Sequence, residues 1–428
     1  MSLPNVENLF VETVNASYIE EDVGPALEPY EQGRPGLIRI VPDFTPPEAY
    51  MNVAKKVVSN IGNFKSGQIT FLRAHYNSIP LALAVQSRIG DLGGITYMIL
   101  FHGDRVEDAL LRGTDEEGIK QYRDKYLSAL KLSDHWTVVS GLEKFEFSRE
   151  AKEKSHLFHK VTTPYWKLIA KLARKGQLKS YDMINNPTEV AADNIGMDFS
   201  EYQRRIFRAM SVDSRRLLKE ETEFATSLLG KPMLLGQAIV GNEGVFELEI
   251  GDTKLTFEVA GRPVLRECGR AGVNVKVNDG SKDVLTNIPA GEVYVAPIES
   301  SVNGRISTNI PIRTNSGTLS RFTCEVRDGV VVKYDTDRND IFEKDFPKVA
   351  ERTVGEIGRG GFNKELGFLR EIGKPTGDAG VDEKVYPLHI ALGENTGWGG
   401  TNSASIHKDF SIPQKINRKN VPLSIRRL

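Results

Sequence analysis

At 428 residues the chain is longer than one ordinary hydrophobic core, so two domains are expected. An apolar fraction of 39% and a charged fraction of 26% read as a soluble globular protein, and a formal charge of −1 argues against a general nucleic-acid binder. There is no basic region followed by an apolar run at the start and no apolar window of about 18 residues, so neither a secretory signal nor a membrane-spanning helix is expected.

Residues 1–34 are acidic and turn-rich and read as an irregular lead-in. From Leu37 the texture alternates. LIRIVPDF, GQITFLRAH and GITYMILFHG read as strands, and PPEAYMNVAKKVVSNIG and PLALAVQSRIGDLG as helices between them. Apolar strands alternating with amphipathic helices predict an α/β domain over 35–229 with a mostly parallel sheet. From about Asp115 to Leu229 charge-rich helical segments dominate, among them EYQRRIFRAM and SRRLLKEETEFATSLLG. His156 and His159 stand three apart on one such segment, a spacing that usually marks a solvated helix face.

After Gly230 the texture changes. VFELEI and TKLTFEV flank Gly251-Asp252 in reverse reading as a hairpin, and CEVR and VVVKYD flank Asp328-Gly329 in the same way. Short strands and glycine turns continue to the end, broken by one helix over NDIFEKDFPKVAERTVG. Residues 230–428 therefore read as a strand-rich α+β domain. Cys268 and Cys324 have neither metal-like nor redox-like spacing and read as buried thiols of a reduced, cytoplasmic protein.

Four blocks in this second half carry candidate chemistry. In NIPAGEVYVAP a turn launches a strand on which Glu292 alternates with Val293 and Val295. In VGEIGRGGF, Glu356 sits among glycines, which allow close approach of backbone or ligand. In LHIALG the strand period places His389 on a face with Ala391 and Gly393, while Leu388, Ile390 and Leu392 face a core. In SIHKDF the same period sets His407 beside Asp409. An imidazole among small neighbours and an imidazole beside a carboxylate make room for a metal ion.

The order and wording of these blocks, within residues 205–410, resemble the thermophilic metallo-aminopeptidases, the aminopeptidase T-like enzymes. The resemblance implies Glu292, Glu356, His389, His407 and Asp409 as ligands of a two-metal centre, short peptide or small-molecule substrates, and assembly into a homodimer or larger oligomer. Charge counting agrees with two ions: three carboxylates and a bound hydroxide carry −4, which two divalent cations balance. Mixed oxygen and nitrogen donors suit Zn, Co or Mn. The reading is a metal-dependent hydrolase, an aminopeptidase or a related amide hydrolase that uses a metal-activated water. Glu299, in the turn after the Glu292 strand, is the candidate proton shuttle.

Two features depart from the family pattern. Thr396 stands where its members carry a tyrosine, and the two block histidines are only 18 residues apart. The intervening GENTGWGGTNS also resembles a branch of the superfamily that opens hydroxypyridine rings with mononuclear Fe(II) and dioxygen. That branch carries a histidine in place of Glu356 and none at the His389 position, so retention of both glutamates favours hydrolysis.

Overall fold

A computed structural model describes residues 46–428 apart from 63, 102–103, 145–147, 152–153, 155–163, 233–237, 275–282, 315, 414, 417–418 and 421. The lead-in, the LIRIVPDF strand and the His156/His159 pair lie outside the described residues.

The alternation expected for the first half is present: α1 (Glu48–Ile61), β1 (Ile69–His75), α2 (Ile79–Asp91), β2 (Ile95–Phe101), α3 (Asp104–Gly113), α4 (Glu116–Leu132), β3 (His135–Gly141), α5 (Pro164–Arg174) and β4 (Ser180–Asn186). On α1, the three-and-four spacing of Val53, Ala54, Val57, Val58 and Ile61 makes one buried stripe. Asp115 caps α4 by accepting the Gly118 amide at 2.9 Å. Three further helices follow, α6 (Glu189–Ile195), α7 (Phe199–Met210) and α8 (Ser214–Phe224).

Strands β1 to β4 pair in parallel. One face of their sheet packs on α1, α2 and α7 through residues such as Leu72, Val57, Val85 and Ile206. The other packs on α4 and α5 through Phe71, Trp136, Leu130 and Leu172. Strands β3 and β4 fall in the stretch read as helical from sequence, and the reason is chemical. Their inward positions carry His135, Thr137 and Asp182, all fully buried, so no apolar run betrays them.

The second half is antiparallel, as expected. Strands β5 (Val245–Ile250) and β6 (Thr253–Glu258) form the first hairpin, turning through Gly251 at φ 58°. Then come β7 (Val264–Glu267), β8 (Leu285–Ile288), β9 (Glu292–Val295), β10 (Asn303–Thr308), β11 (Phe322–Arg327), β12 (Val330–Thr336), β13 (Val354–Arg359), β14 (Leu388–Gly393), β15 (His407–Ile412) and β16 (Ser424–Arg427). The turn between β11 and β12 uses Asp328 and Gly329, both at positive φ. One six-stranded sheet runs β12-β11-β10-β6-β5-β16, and a five-stranded one runs β15-β14-β13-β9-β7. Their apolar faces share a core in which the Phe322 and Phe410 rings lie 4.6 Å apart.

The single helix expected after β12 is shorter. Asn339–Asp345 is α9, and after Pro347 only a short 3-10 turn, Ala350–Arg352, follows. Two helices were not expected: α10 (Gly367–Ile372) and α11 (Ala379–Val385). Strand β8, although it lies beyond residue 230, joins the parallel sheet beside β4. Three residues later, after a cis Ile288–Pro289 bond, β9 enters the five-stranded antiparallel sheet. The two halves are thus joined by one tight turn that ends at Glu292. Among the described residues no helix is long and apolar enough to cross a membrane.

The parallel sheet holds one buried acid outside any site. Asp182 accepts hydrogen bonds from Ser180 at 2.8 Å and Thr137 at 3.0 Å, and its other oxygen has no hydrogen-bond partner. Burial pushes its carboxyl up to about 7, against those two bonds. The folded chain therefore keeps a proton that the unfolded chain releases above about pH 4. Stability from this group is greatest below that pH and falls as pH rises to about 7, by at most about 1.4 kcal/mol per pH unit. Asp182→Asn, never charged, is expected to flatten that decline in urea titrations between about pH 4 and 8. An unchanged slope would assign the effect elsewhere.

Candidate metal centre

Register puts the four sequence blocks on one face of the five-stranded sheet. Residues directly opposite in an antiparallel pair share a face. Gly358 lies opposite His389, Glu356 opposite Ala391, Ala391 opposite Asp409, and Gly393 opposite His407. Alternation carries Glu292 to the same side through Tyr294, which pairs with Gly358. The other side is apolar: Val293, Val295, Ile357, Leu388, Ile390, Leu392 and Phe410 all enter the shared core.

Small residues open the space between the polar ones. A Cβ on Gly358 would lie 1.9 Å from His389 Nε2, so the imidazole folds over the glycine. Ala391 separates Glu356 from Asp409 with a single methyl. Gly393, at φ 106°, lets the backbone of Ile406 come within 1.9 Å of where a Cβ would stand. These glycines are needed because side chains or backbone occupy the volume a Cβ would take.

The five predicted residues converge. His389 Nε2 lies 3.1 Å from Glu356 Oε1 and 3.5 Å from Glu292 Oε2. His407 Nε2 lies 3.8 Å from Glu356 Oε2 and 3.6 Å from Asp409 Oδ1. One donor atom from each of Glu356, His407 and Asp409 lies within 4.8 Å of the others. His407 Nδ1 sits 2.9 Å from the Glu394 carbonyl, which accepts its N–H and leaves Nε2 free as a donor to a metal.

Electrostatics of the face favours cations. Burial opposes charge on His389, but hydrogen bonding to Glu356 and the nearby Glu292 and Asp409 carboxylates push it up to about 10. Burial also opposes charge on His407, yet Asp409 and Glu356 push it up to about 9. Burial raises Glu356 and Glu292 above the usual carboxylate range despite their cationic neighbours. For Asp409 burial is outweighed by His407, His389 and Lys408, which hold it well below that range.

Two functional neighbours were not found from sequence. Lys384, fully buried at the end of α11, donates to Glu292 Oε1 at 2.6 Å and to Glu383. Burial opposes its charge, but Glu292, Glu383 and Glu267 hold it well above the ordinary lysine range. Glu383 feels both Asp409 and His389, and burial raises it. The two cancel formally, and Glu267, opposite Glu292 on the same face, is pushed up to about 8 by burial, so Glu292, Glu356 and Asp409 carry the formal −3. The available signal was the second glycine run: a Cβ on Gly360 would lie 2.4 Å from the Glu383 carbonyl, and Gly361 donates to the Lys384 carbonyl at 2.9 Å.

Glu299 has other partners. Its oxygens accept from Arg262 at 2.5 Å, from Asn395 Nδ2 at 2.9 Å and from the Thr401 amide at 2.6 Å. Burial works against its charge, but these contacts hold its carboxyl below the ordinary range. They favour anchoring of the 395–401 loop over the proton shuttle expected from its place in the sequence. Thr396, at the family's tyrosine position, turns back on its own loop, its hydroxyl and amide both donating to Glu394.

The donor set fits a divalent metal. Among the described residues Glu292 Oε2 and Asp409 Oδ1 are buried without a hydrogen-bond partner, and two imidazole nitrogens face the same carboxylates. Converging carboxylates on a largely buried face must either take up protons or hold cations between them. The family model for thermophilic metalloprotease (M29) matches residues 48–358, and the chain belongs to that family. His389, His407 and Asp409 lie beyond the matched segment.

Among solved structures, wild-type AmpT from Thermus thermophilus shares the fold, with a TM-score of 0.63 and 15% identity over 85% of this chain and 92% of its own. A 2,5-dihydroxypyridine dioxygenase from Pseudomonas putida overlaps more loosely, with a TM-score of 0.49 and 15% identity over 88% of this chain and 92% of its own. No curated protein matches the sequence.

The glycine under His389 offers a direct test. Gly358→Ala places a methyl where the imidazole lies, so the ring must leave the face. Metal affinity, measured by competition with a chromophoric chelator, is expected to fall about 10- to 100-fold. Unfolding should stay cooperative, and wild-type affinity would show that His389 takes no part in holding metal.

Proposed function

We propose that this metal-dependent peptidase is an aminopeptidase or related amide hydrolase acting on short peptides or aminoacyl amides, with two divalent ions held by Glu292, Glu356, His389, His407 and Asp409. The carrying observation is the convergence of these five side chains on one sheet face, Glu292, Glu356 and His389 buried and His407 and Asp409 partly exposed, in a chain of the thermophilic metalloprotease family. Zn, Co or Mn bound there would supply a Lewis acid and an activated water.

The protein's own part is positioning. Lys384 fixes the Glu292 carboxylate through one oxygen and leaves the other directed at His389. The Glu394 carbonyl sets the tautomer of His407. The apolar far side of the sheet holds the strands in register and so keeps the donors in place relative to one another. Retention of both Glu292 and Glu356 on the face supports hydrolysis over ring-opening oxygenation.

A hydrolase needs no dioxygen and tolerates several divalent ions, whereas an oxygenase needs Fe(II) and consumes dioxygen. Metal-reconstituted protein is expected to release amine from aminoacyl amides or dipeptides under strict anaerobiosis. Turnover confined to iron and dioxygen with hydroxylated aromatic or pyridine substrates would overturn the reading.

Glu299 separates two roles. As an anchor of the 395–401 loop, Glu299→Gln should raise KM about 3- to 10-fold while kcat and its pH profile stay close to wild type, because one hydrogen-bonded oxygen remains. A fall in kcat of about 100-fold or more with loss of one limb of the pH profile would restore the proton shuttle.

A further inference from the structure

The two histidines of the ligand face are not equivalent. Glu356 divides the face between them: its Oε2 lies 3.8 Å from His407 Nε2 and its Oε1 3.1 Å from His389 Nε2. On the outer side Glu356, His407 and Asp409 bring one donor atom each within 4.8 Å of the others. On the inner side His389 Nε2 lies 3.5 Å from Glu292 Oε2, yet among the described residues these two complete no group of three donors that close.

Three further differences run the same way. The Glu394 carbonyl holds the N–H of His407 and frees its Nε2, whereas His389 Nδ1 is buried with no hydrogen-bond partner among the described residues. An imidazole whose second nitrogen is held is the better metal ligand, and loss of such a partner typically costs about 10- to 100-fold in affinity. Access differs too: the side chains of His407 and Asp409 are 26% and 18% exposed, those of His389 and Glu292 0% and 5%. Finally, the inner side already holds a cation, since the fully buried Lys384 Nζ lies 2.6 Å from Glu292 Oε1. Glu383 balances that ammonium in the formal count, but the hydrogen bond still occupies Glu292. A carboxylate that carries an ammonium on one oxygen is a weaker donor through the other, and a divalent ion there would face a like charge across a single carboxylate.

We propose that the face binds its two ions unequally. Glu356, His407 and Asp409 hold a tight one, and a weaker one binds on the Glu292–His389 side, where Lys384 is a built-in competitor for the second cation. The inference rests on the two-ion reading and assigns the occupancy of each position to named residues. At limiting metal the outer position fills first. The protein therefore passes through a one-ion form over a window of metal concentration whose upper end Lys384 sets.

Stepwise removal of zinc from the zinc-loaded protein by a chromophoric chelator tests this without a substrate. Wild type should release two ions in two steps whose affinities differ about 100-fold or more. Glu292→Gln should lose the weak step and keep the tight one within about tenfold, and His407→Ala should lose the tight step. Lys384→Gln, which keeps a hydrogen-bond donor but not the charge, should tighten the weak step about tenfold or more and leave the tight one within about threefold. If Lys384→Gln does not unfold cooperatively, the Glu292 and His407 variants decide the assignment. Two steps of equal affinity in wild type, loss of the tight step in Glu292→Gln, or a folded Lys384→Gln with an unchanged gap would overturn the inference and leave the two-ion reading standing. A single ion in wild type, kept in Glu292→Gln and lost in His407→Ala, would support the tight position and remove the two-ion reading instead. Absence of bound zinc would overturn both.

Discussion

Three carboxylates cannot share a dry sheet face unless positive charge lies among them, and most of the second half is organised around that constraint. The strands that carry Glu292, Glu356 and Asp409 are fixed by the apolar core behind them. The face therefore cannot relax by letting its acids drift into water. In the structure His389 and His407, pushed towards their charged forms by the same acids, provide the compensation, Lys384 being balanced by Glu383. A divalent cation meets the same demand with one centre in place of several protons, which is why metal binding and release of protons from the imidazoles belong together.

The parallel sheet, remote from the chemistry, still helps to set it. Strand β8 pairs in that sheet and the next strand opens on Glu292, so the position of one candidate ligand is set from the parallel sheet through three residues. Asn363 locks the turn by donating to the carbonyls of Ala209 and Ala290 at 3.0 Å each. Glu267, opposite Glu292 in register, accepts from Thr286 of β8 at 2.8 Å. The side chains on either side of the turn are therefore one hydrogen-bonded unit, and the two halves do not act as independent modules at this point.

How much of this was legible in the sequence depended on periodicity. Strand alternation at 388–393 and 407–410 gave both the apolar side and the ligand side, because each block carries a strict period of two with a buried far face. The hairpins at Gly251 and Asp328 were equally plain, since positive φ selects those residues. Strands β3 and β4 were hidden by inward polar residues, and α10 and α11 by being only six and seven residues long. Lys384 and Glu383 gave no local sign, because an adjacent acid and base on a short helix look like any solvated pair. Only Gly360 and Gly361, just after β13, which admit the end of α11, hold that information, and they hold it about a contact distant in the chain. Glu299 was legible only as an acid near the site: the arginine and the loop that engage it are distant in the chain, and pattern reading does not place them beside it.

The bond between His407 and the Glu394 carbonyl ties the base of the pocket loop to the ligand set, so the loop cannot be exchanged wholesale without disturbing the metal. Within it the freedom is uneven. A side chain at Gly400 would collide with Asn395 at 2.0 Å and one at Gly399 with Pro263, yet one at Gly397 meets nothing within 4 Å. Among the loop's glycines only position 397 therefore accepts a side chain without moving a neighbour, so a single codon change there can alter the surface of the loop while every anchor keeps its place.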